Sequence, residues 1–218
     1  SSDILVFGGT ALVPSIHDHL TALLKKSGEH GAITVVNTVF DFRNEKLDPG
    51  NKWPLGESDE SYQHIDLLIT DHAEALRLSG TKSSEDACTF FMGSGLSAFI
   101  ITNGTNNLYA WSDGKLFEKI TLSTIPVSRQ IMNDLKTNSV GDTTGCGDNF
   151  VGGVLYSMVE QLKQENHQPD LLEAAAWGVV SGGFTCFYVG GTYHETTQGE
   201  KLAKIKDYYA QYKVQVGH

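Results

Sequence analysis

Val140-Gly141-Asp142-Thr143-Thr144-Gly145-Cys146-Gly147-Asp148-Asn149-Phe150-Val151-Gly152-Gly153 decides the reading of this chain. The stretch sets glycines and two aspartates at the expected join of a short strand and an apolar helix. A glycine-rich turn that opens a helix gathers unpaired backbone N–H groups around one spot, and such a spot binds anions, phosphate above all. Asp148 stands at the helix start, beside that spot and itself negative. A carboxylate is a poor phosphate ligand. It is a suitable base for taking a proton from whatever attacks the phosphate.

Outward from this stretch, strands and helices are expected to alternate. Ile4–Phe7 reads as a buried strand, and Pro14 opens a helix to about His30, with Ile16, Leu20, Leu23 and Leu24 at helical spacing. Ile33–Val36 is a strand, residues 44–57 are a loop, and Ile65–Thr70 is a strand. A short helix over Asp71–Leu78 stops at Gly80, and Ser83-Ser84-Glu85-Asp86 caps a helix to about Gly95. Ala98–Thr102 is a strand, and Leu108–Trp111 and Leu116–Leu122 form a β-hairpin about Asp113-Gly114. Residues 124–138 have no decisive pattern. Three helices follow, to about Lys163, from Pro169 to about Tyr188, and from about Thr197 to Tyr212. The alternation implies an α/β fold, a mostly parallel sheet with helices on both faces. Ligands of such sheets sit beyond the carboxyl ends of the strands, where Gly104 and Gly145 are expected.

Composition narrows the function classes. The chain has 218 residues, 40% hydrophobic and 19% charged, which suits one globular domain with a sizeable core. A formal charge of −10 without a basic cluster argues against nucleic acid or an anionic membrane as partner. Cys88, Cys146 and Cys186 are odd in number, widely spaced and outside any CxxC. Neither a disulfide framework nor a zinc site is expected, and reduced thiols in a cytoplasmic protein are the simple reading. Ser1-Ser2-Asp3 leads straight into the first apolar run with neither an initiating Met nor a signal peptide, as expected of a fragment or a processed chain. His17 and His19 sit two apart on a helix and face different ways, so they are not expected to share a metal.

Asp142-Thr143-x-Gly145-x-Gly147-Asp148 with its small-residue helix resembles the C-terminal signature of the ribokinase/PfkB family of sugar and nucleoside kinases; Cys146 stands where most relatives carry Ala or Ser. Two further stretches are similar to family motifs. Leu67–Gly80 resembles a strand followed by Asn-x-x-Glu, with Asp71 in place of Asn and Glu74 in place. Phe99–Asn107 resembles a strand ending in Thr-x-Gly-x-x-Gly, with Thr102 and Gly104 in place and Asn107 at the last Gly. Asp41-Phe42-Arg43 falls where many relatives have Asn-x-Arg, and a surface ion pair explains it equally well. Ala174–Gly178 and Gly190-Gly191 resemble the adenine-side segment, although a tightly packed core helix explains Gly178 equally well.

The resemblance implies a ribokinase-like three-layer sandwich over residues 1–218, incomplete at its N-terminus, where relatives carry the first strands, a β lid and the sugar-binding Asp. It implies an ATP-dependent phosphotransferase acting on an alcohol group of a sugar or nucleoside. Asp148 would be the base, and N–H groups of Gly145, Cys146 and Gly147 the anion hole. Thr102, Gly104, Asp142, Thr144 and Gly178 would lie by the nucleotide, with main-chain carbonyls of Asp142 and Thr144 holding a monovalent cation such as K⁺. Glu74 and Asp71 would order Mg²⁺. Relatives often form homodimers through the lid, which is not visible here. A non-catalytic nucleotide-binding module, and a kinase of a vitamin-like alcohol such as pyridoxal, remain as alternatives.

Overall fold

The computed structural model describes residues 3–138, 140–164, 168–191 and 193–217. It divides into two compact units, Ser1–Thr124 and Ile125–His218.

The first unit runs β1 (Ile4–Gly8), α1 (Pro14–His17), α2 (Leu20–Glu29), β2 (Ile33–Asn37), α3 (Phe42–Leu47), β3 (Leu67–Asp71), α4 (His72–Ser79), α5 (Ser84–Gly93), β4 (Ala98–Thr102), β5 (Leu108–Ser112) and all but the last residue of β6 (Ile120–Ile125). Single turns of 3₁₀ helix cover Thr10–Leu12, and a longer one covers Asp59–His64. The strands lie in chain order in one six-stranded sheet. β1 to β4 are mutually parallel and β5 returns antiparallel to β4. Parallel neighbours need a crossover, and the helical segments between the strands supply it.

Because side chains alternate along a strand, each strand serves two faces. On one face Val36, Leu68, Phe99 and Ile101 pack with Leu20 and Leu24 of α2, Ala75 and Leu78 of α4, and Phe91 of α5. On the other, Val35, Leu67, Ile69, Ala98 and Ile100 are also buried. Burial on both faces is why β2, β3 and β4 read as nearly unbroken apolar runs.

Three expectations need correction here. β1 is not a buried strand: it is the sheet edge, and Leu5 and Val6 are 36% and 42% exposed. The single helix from Pro14 is two helices, broken at Asp18-His19. The break lets the His17 ring turn inward, with Nε2 3.7 Å from Asp41 Oδ2 and Nδ1 3.2 Å from Arg43 Nη2. Leu20 and Leu24 are then buried while Ile16 and Leu23 stay partly exposed. The hairpin's second strand begins at Ile120, not Leu116, because the buried Phe117 anchors residues 113–119 as a loop.

The loop expected over 44–57 also begins as helix. Asp41 accepts the N–H of Asn44 at 2.9 Å and caps α3, while Arg43 pairs with Asp18 at 2.6 Å. That guanidinium holds the Asp18 carboxyl down to about 2.

The second unit contains α6 (Arg129–Thr137), α7 (Cys146–Leu162), α8 (Leu171–Thr185) and α9 (Glu200–Val216). The short strand expected before α7 is absent among the described residues; Val140 is 75% exposed and the chain runs as loop into Gly145. α7 and α8 are in intimate contact through glycines. A Cβ on Gly153 would stand 2.4 Å from the Trp177 carbonyl oxygen, one on Gly178 2.9 Å from the Phe150 ring, and one on Gly182 2.9 Å from the Cys146 carbonyl oxygen. α9 closes on α8 through Tyr209, stacked 4.2 Å from Trp177, and Lys213, paired with Glu173 at 2.6 Å.

Gly153→Ala tests this packing. Alanine favours the helix by about 1 kcal/mol. The obstructing atom, however, is backbone and cannot swing aside, so overpacking costs about 1–3 kcal/mol and prevails. The urea midpoint of Gly153→Ala should fall below that of the parent; an equal or higher midpoint contradicts the close approach.

Candidate active site

The head of α7 is built on one residue in left-handed conformation. Gly145 has φ of 71° and serves as N-cap, and its carbonyl accepts the Asn149 N–H at 2.9 Å. A non-glycine residue is strained at that φ. The Cys146 N–H points back to the Thr143 carbonyl at 3.3 Å. The N–H groups of Gly145, Gly147 and Asp148 have no hydrogen-bond partner among the described residues, and the space beside Gly147 is open. Orphan donors of this kind are what a first helical turn offers an anion. The Asp148 side chain is exposed, and it too has no hydrogen-bond or ion-pair partner among the described residues.

Neighbouring side chains hold the turn. Asp142 accepts the N–H of Thr144 at 2.9 Å and that of Gly190 at 3.1 Å, and these bonds hold its carboxyl below the ordinary carboxylate range. Asn149 donates from Nδ2 to the carbonyls of Gly145 at 2.9 Å and Gly191 at 3.3 Å, and accepts from Lys201 at 2.8 Å. Gly191, at φ of 70°, packs its backbone directly against the Thr144 carbonyl, where a Cβ would stand 2.4 Å from the oxygen. Neither Asn149 nor Lys201 was expected from the motif; the only sequence signal is that Asn149 adjoins Asp148.

Two further findings concern this unit. Gly178 lies in the α7–α8 contact, its missing side chain replaced by Phe150 and Val154. Cys146 and Cys186, expected as unrelated thiols, have their sulfurs 3.1 Å apart. The two thiols share this one contact, which draws Cys186 down to about 7 and pushes Cys146 up.

In the first unit, the expected residues gather at the carboxyl ends of β3 and β4. Asp71 and Thr102 are register partners on adjacent strands, and Gly104 follows in an exposed turn at φ of 56°. Asp71 caps α4, accepting the Glu74 N–H at 2.8 Å, while Glu74 Oε2 accepts the Asp71 N–H at 3.4 Å. This reciprocal capping box satisfies two orphan donors at once. Glu74 is only 7% exposed, and its Oε2 also accepts from the Thr38 hydroxyl. Burial pushes its carboxyl above the ordinary value, against the Thr38 hydrogen bond, and the Asp71 charge adds to the rise. Among the described residues no three His, Cys, Asp or Glu side chains converge as a metal cluster, and no helix is long and apolar enough to cross a membrane.

Comparison with known proteins gives one family. The model of the pfkB family carbohydrate kinases matches residues 1–198. No curated protein matches the chain. Among solved structures, fructokinase from Vibrio cholerae O395, bound to fructose, ADP and calcium ion, is 17% identical with a TM-score of 0.66 over 96% of this chain and 61% of its own. Aminoimidazole riboside kinase from Salmonella enterica, with aminoimidazole riboside and an ATP analog, is 17% identical with a TM-score of 0.65 over 94% and 61%. Ribokinase from Thermotoga maritima is 17% identical with a TM-score of 0.61 over 96% and 57%. The chain therefore spans about three-fifths of the length of these structures. At this identity the likeness establishes the fold: a mostly parallel α/β sheet of ribokinase type.

The raised Glu74 carboxyl gives a pH test. Its neutral form is favoured in the fold, so its contribution is fully present below the unfolded value near 4.5 and is lost as pH rises through the raised folded value. Glu74→Gln stays neutral and can keep the cap. Measured by urea unfolding between about pH 4 and 7, its stability relative to the parent should improve as pH rises; a flat or opposite trend contradicts the buried-carboxyl assignment.

Proposed function

The chain belongs to the pfkB family of carbohydrate kinases, and from that membership we propose that it transfers the γ-phosphoryl group of ATP to an alcohol group of a sugar or sugar-like small molecule. The observation that carries the reading is the head of α7, where N–H groups without partners among the described residues sit beside an exposed Asp148 that likewise has none there.

Asp148 acts as general base. Its carboxylate oxygen takes the hydroxyl proton of the acceptor as the new oxygen–phosphorus bond forms. The N–H groups of Gly145 and Gly147 receive the charge on the phosphoryl oxygens, and a fixed donor needs no reorganisation at that moment. The Cys146 N–H, held by Thr143, instead fixes the shape of the turn. The main-chain carbonyls of Asp142 and Thr144 are assigned to a monovalent cation on family membership alone.

In the first unit, Thr102 and Gly104 form an edge for the nucleotide. Mg²⁺ supplies charge neutralisation on the phosphates when it is bound with ATP. The donor set fits that role, because Mg²⁺ keeps several waters and takes few carboxylates. Exposed Asp71 and buried Glu74 are suited to holding those waters. The fructose and riboside held by the similar structures support the acceptor class.

A second reading, a nucleotide-binding module without turnover, draws on Asp71, whose carboxylate is committed to the α4 cap.

Asp148→Asn discriminates. The parent carboxylate has no structural partner among the described residues, so the variant should melt like the parent and bind ADP with similar affinity. Its ATP-dependent phosphorylation of the best acceptor in a sugar and nucleoside screen should fall by about 10²-fold or more. Full activity removes Asp148 from the mechanism, and ADP binding without turnover by the parent favours the second reading.

A further inference from the structure

We propose that Cys146 and Cys186 are a redox-active thiol pair whose oxidation to a disulfide ties the head of α7 to the end of α8 and closes the phosphate-binding turn. The sulfurs are 3.1 Å apart, about 1 Å more than a sulfur–sulfur bond. The residues are 40 apart in sequence, so tertiary packing makes this approach.

Three contacts fix it from the backbone. Gly182, one turn before Cys186, lies against the Cys146 carbonyl, where a Cβ would stand 2.9 Å from the oxygen. Gly141, entering the turn, leaves no room for a Cβ beside the Cys186 carbonyl. The Cys186 N–H is bonded to the Gly183 carbonyl at 3.1 Å, which holds the end of α8. Both thiols are partly exposed, so an oxidant can reach them, whereas Cys88 is fully buried among the side chains of the first unit.

A hydroperoxide suffices as oxidant. The sulfur of one cysteine, having lost its proton, attacks one oxygen of hydrogen peroxide; the O–O bond breaks, leaving a sulfenic acid, and the departing hydroxide takes up the proton that the thiol lost, as water. The second sulfur attacks the sulfenic sulfur, the S–S bond forms, and the S–O bond breaks. The departing hydroxide takes the second thiol proton as water. Two thiols and one hydrogen peroxide thus give one disulfide and two waters.

Cys146 stands between Gly145 and Gly147, so drawing it toward α8 moves the N–H groups assigned above to the phosphoryl oxygens. This consequence rests on the proposed nucleotide site; formation of the disulfide does not.

The test uses the whole chain, fully reduced and then titrated with hydrogen peroxide. Tryptic mass analysis should show the Cys146 and Cys186 peptides joined and lighter by two hydrogens, with Cys88 still alkylated once the chain is unfolded. Cys186→Ala and Cys186→Ser should lose the linked peptide, and Cys88→Ala should keep it. Oxidation of Cys146 or Cys186 to sulfinic acid without linkage, or linkage to Cys88, overturns the pair. In parallel, ADP binding by calorimetry should weaken at least about tenfold in the oxidised parent and return with a dithiol reductant. A disulfide that leaves ADP affinity unchanged overturns the closing of the turn. If the reduced parent binds no ADP while the linked peptide forms, the nucleotide reading fails and the thiol pair stands.

Discussion

How closely two helices can approach decides what the second unit presents to a ligand. α7 and α8 meet at Gly153, Gly178 and Gly182, positions where a single methyl group would run into a carbonyl oxygen or a phenyl ring. Interiors pack at crystal-like density, so such contacts transmit position with little slack. The approach sets where α7 begins and which backbone groups face outward from its first turn. It also brings the end of α8 against that turn. Asp142, Asn149 and Lys201 then secure a loop whose course the glycines have already restricted.

The first unit solves a different problem. Its parallel strands end in a row of polar residues next to a core buried on both sides, and each polar group there needs a partner. Asp71 and Glu74 partner each other's backbone, and Thr38 supplies the donor for the buried carboxylate. Glu74 is therefore part of the fold's capping chemistry as well as a candidate for ordering metal-bound water. Thr38 comes from the segment after β2, so the arrangement also joins the ends of two neighbouring strands.

Features set by local chemistry were legible in the sequence. β4, the capped helices α4 and α5, and the glycine-rich start of α7 all follow from periodicity, caps and turn residues within a few positions. Features set by distant contacts were not. The break after His17 depends on Asp41 and Arg43, and the late start of β6 depends on Phe117 finding the interior. β1 has the composition of an interior strand, and only strand order makes it an edge. Of the candidate site, the motif set Asp148 and the glycine N–H groups on one turn, whereas the adjacency of Asp71 and Thr102 comes from the pairing of β3 with β4. It carried no sign of the Asn149 clamp or of the sulfur contact, because neither leaves a local pattern. The roles given to these residues come from family membership and chemistry.

The edge strand carries a consequence for handling the protein in solution. β1 offers partly exposed Leu5 and Val6, and strands of this kind are templates for pairing with another chain. A net charge of −10 keeps copies apart by repulsion. That repulsion reaches only about 10 Å at 0.1 M salt and about 3 Å at 1 M. Colloidal stability therefore depends on ionic strength: dilute buffers keep the edges separated, and concentrated salt leaves β1 free to find another strand.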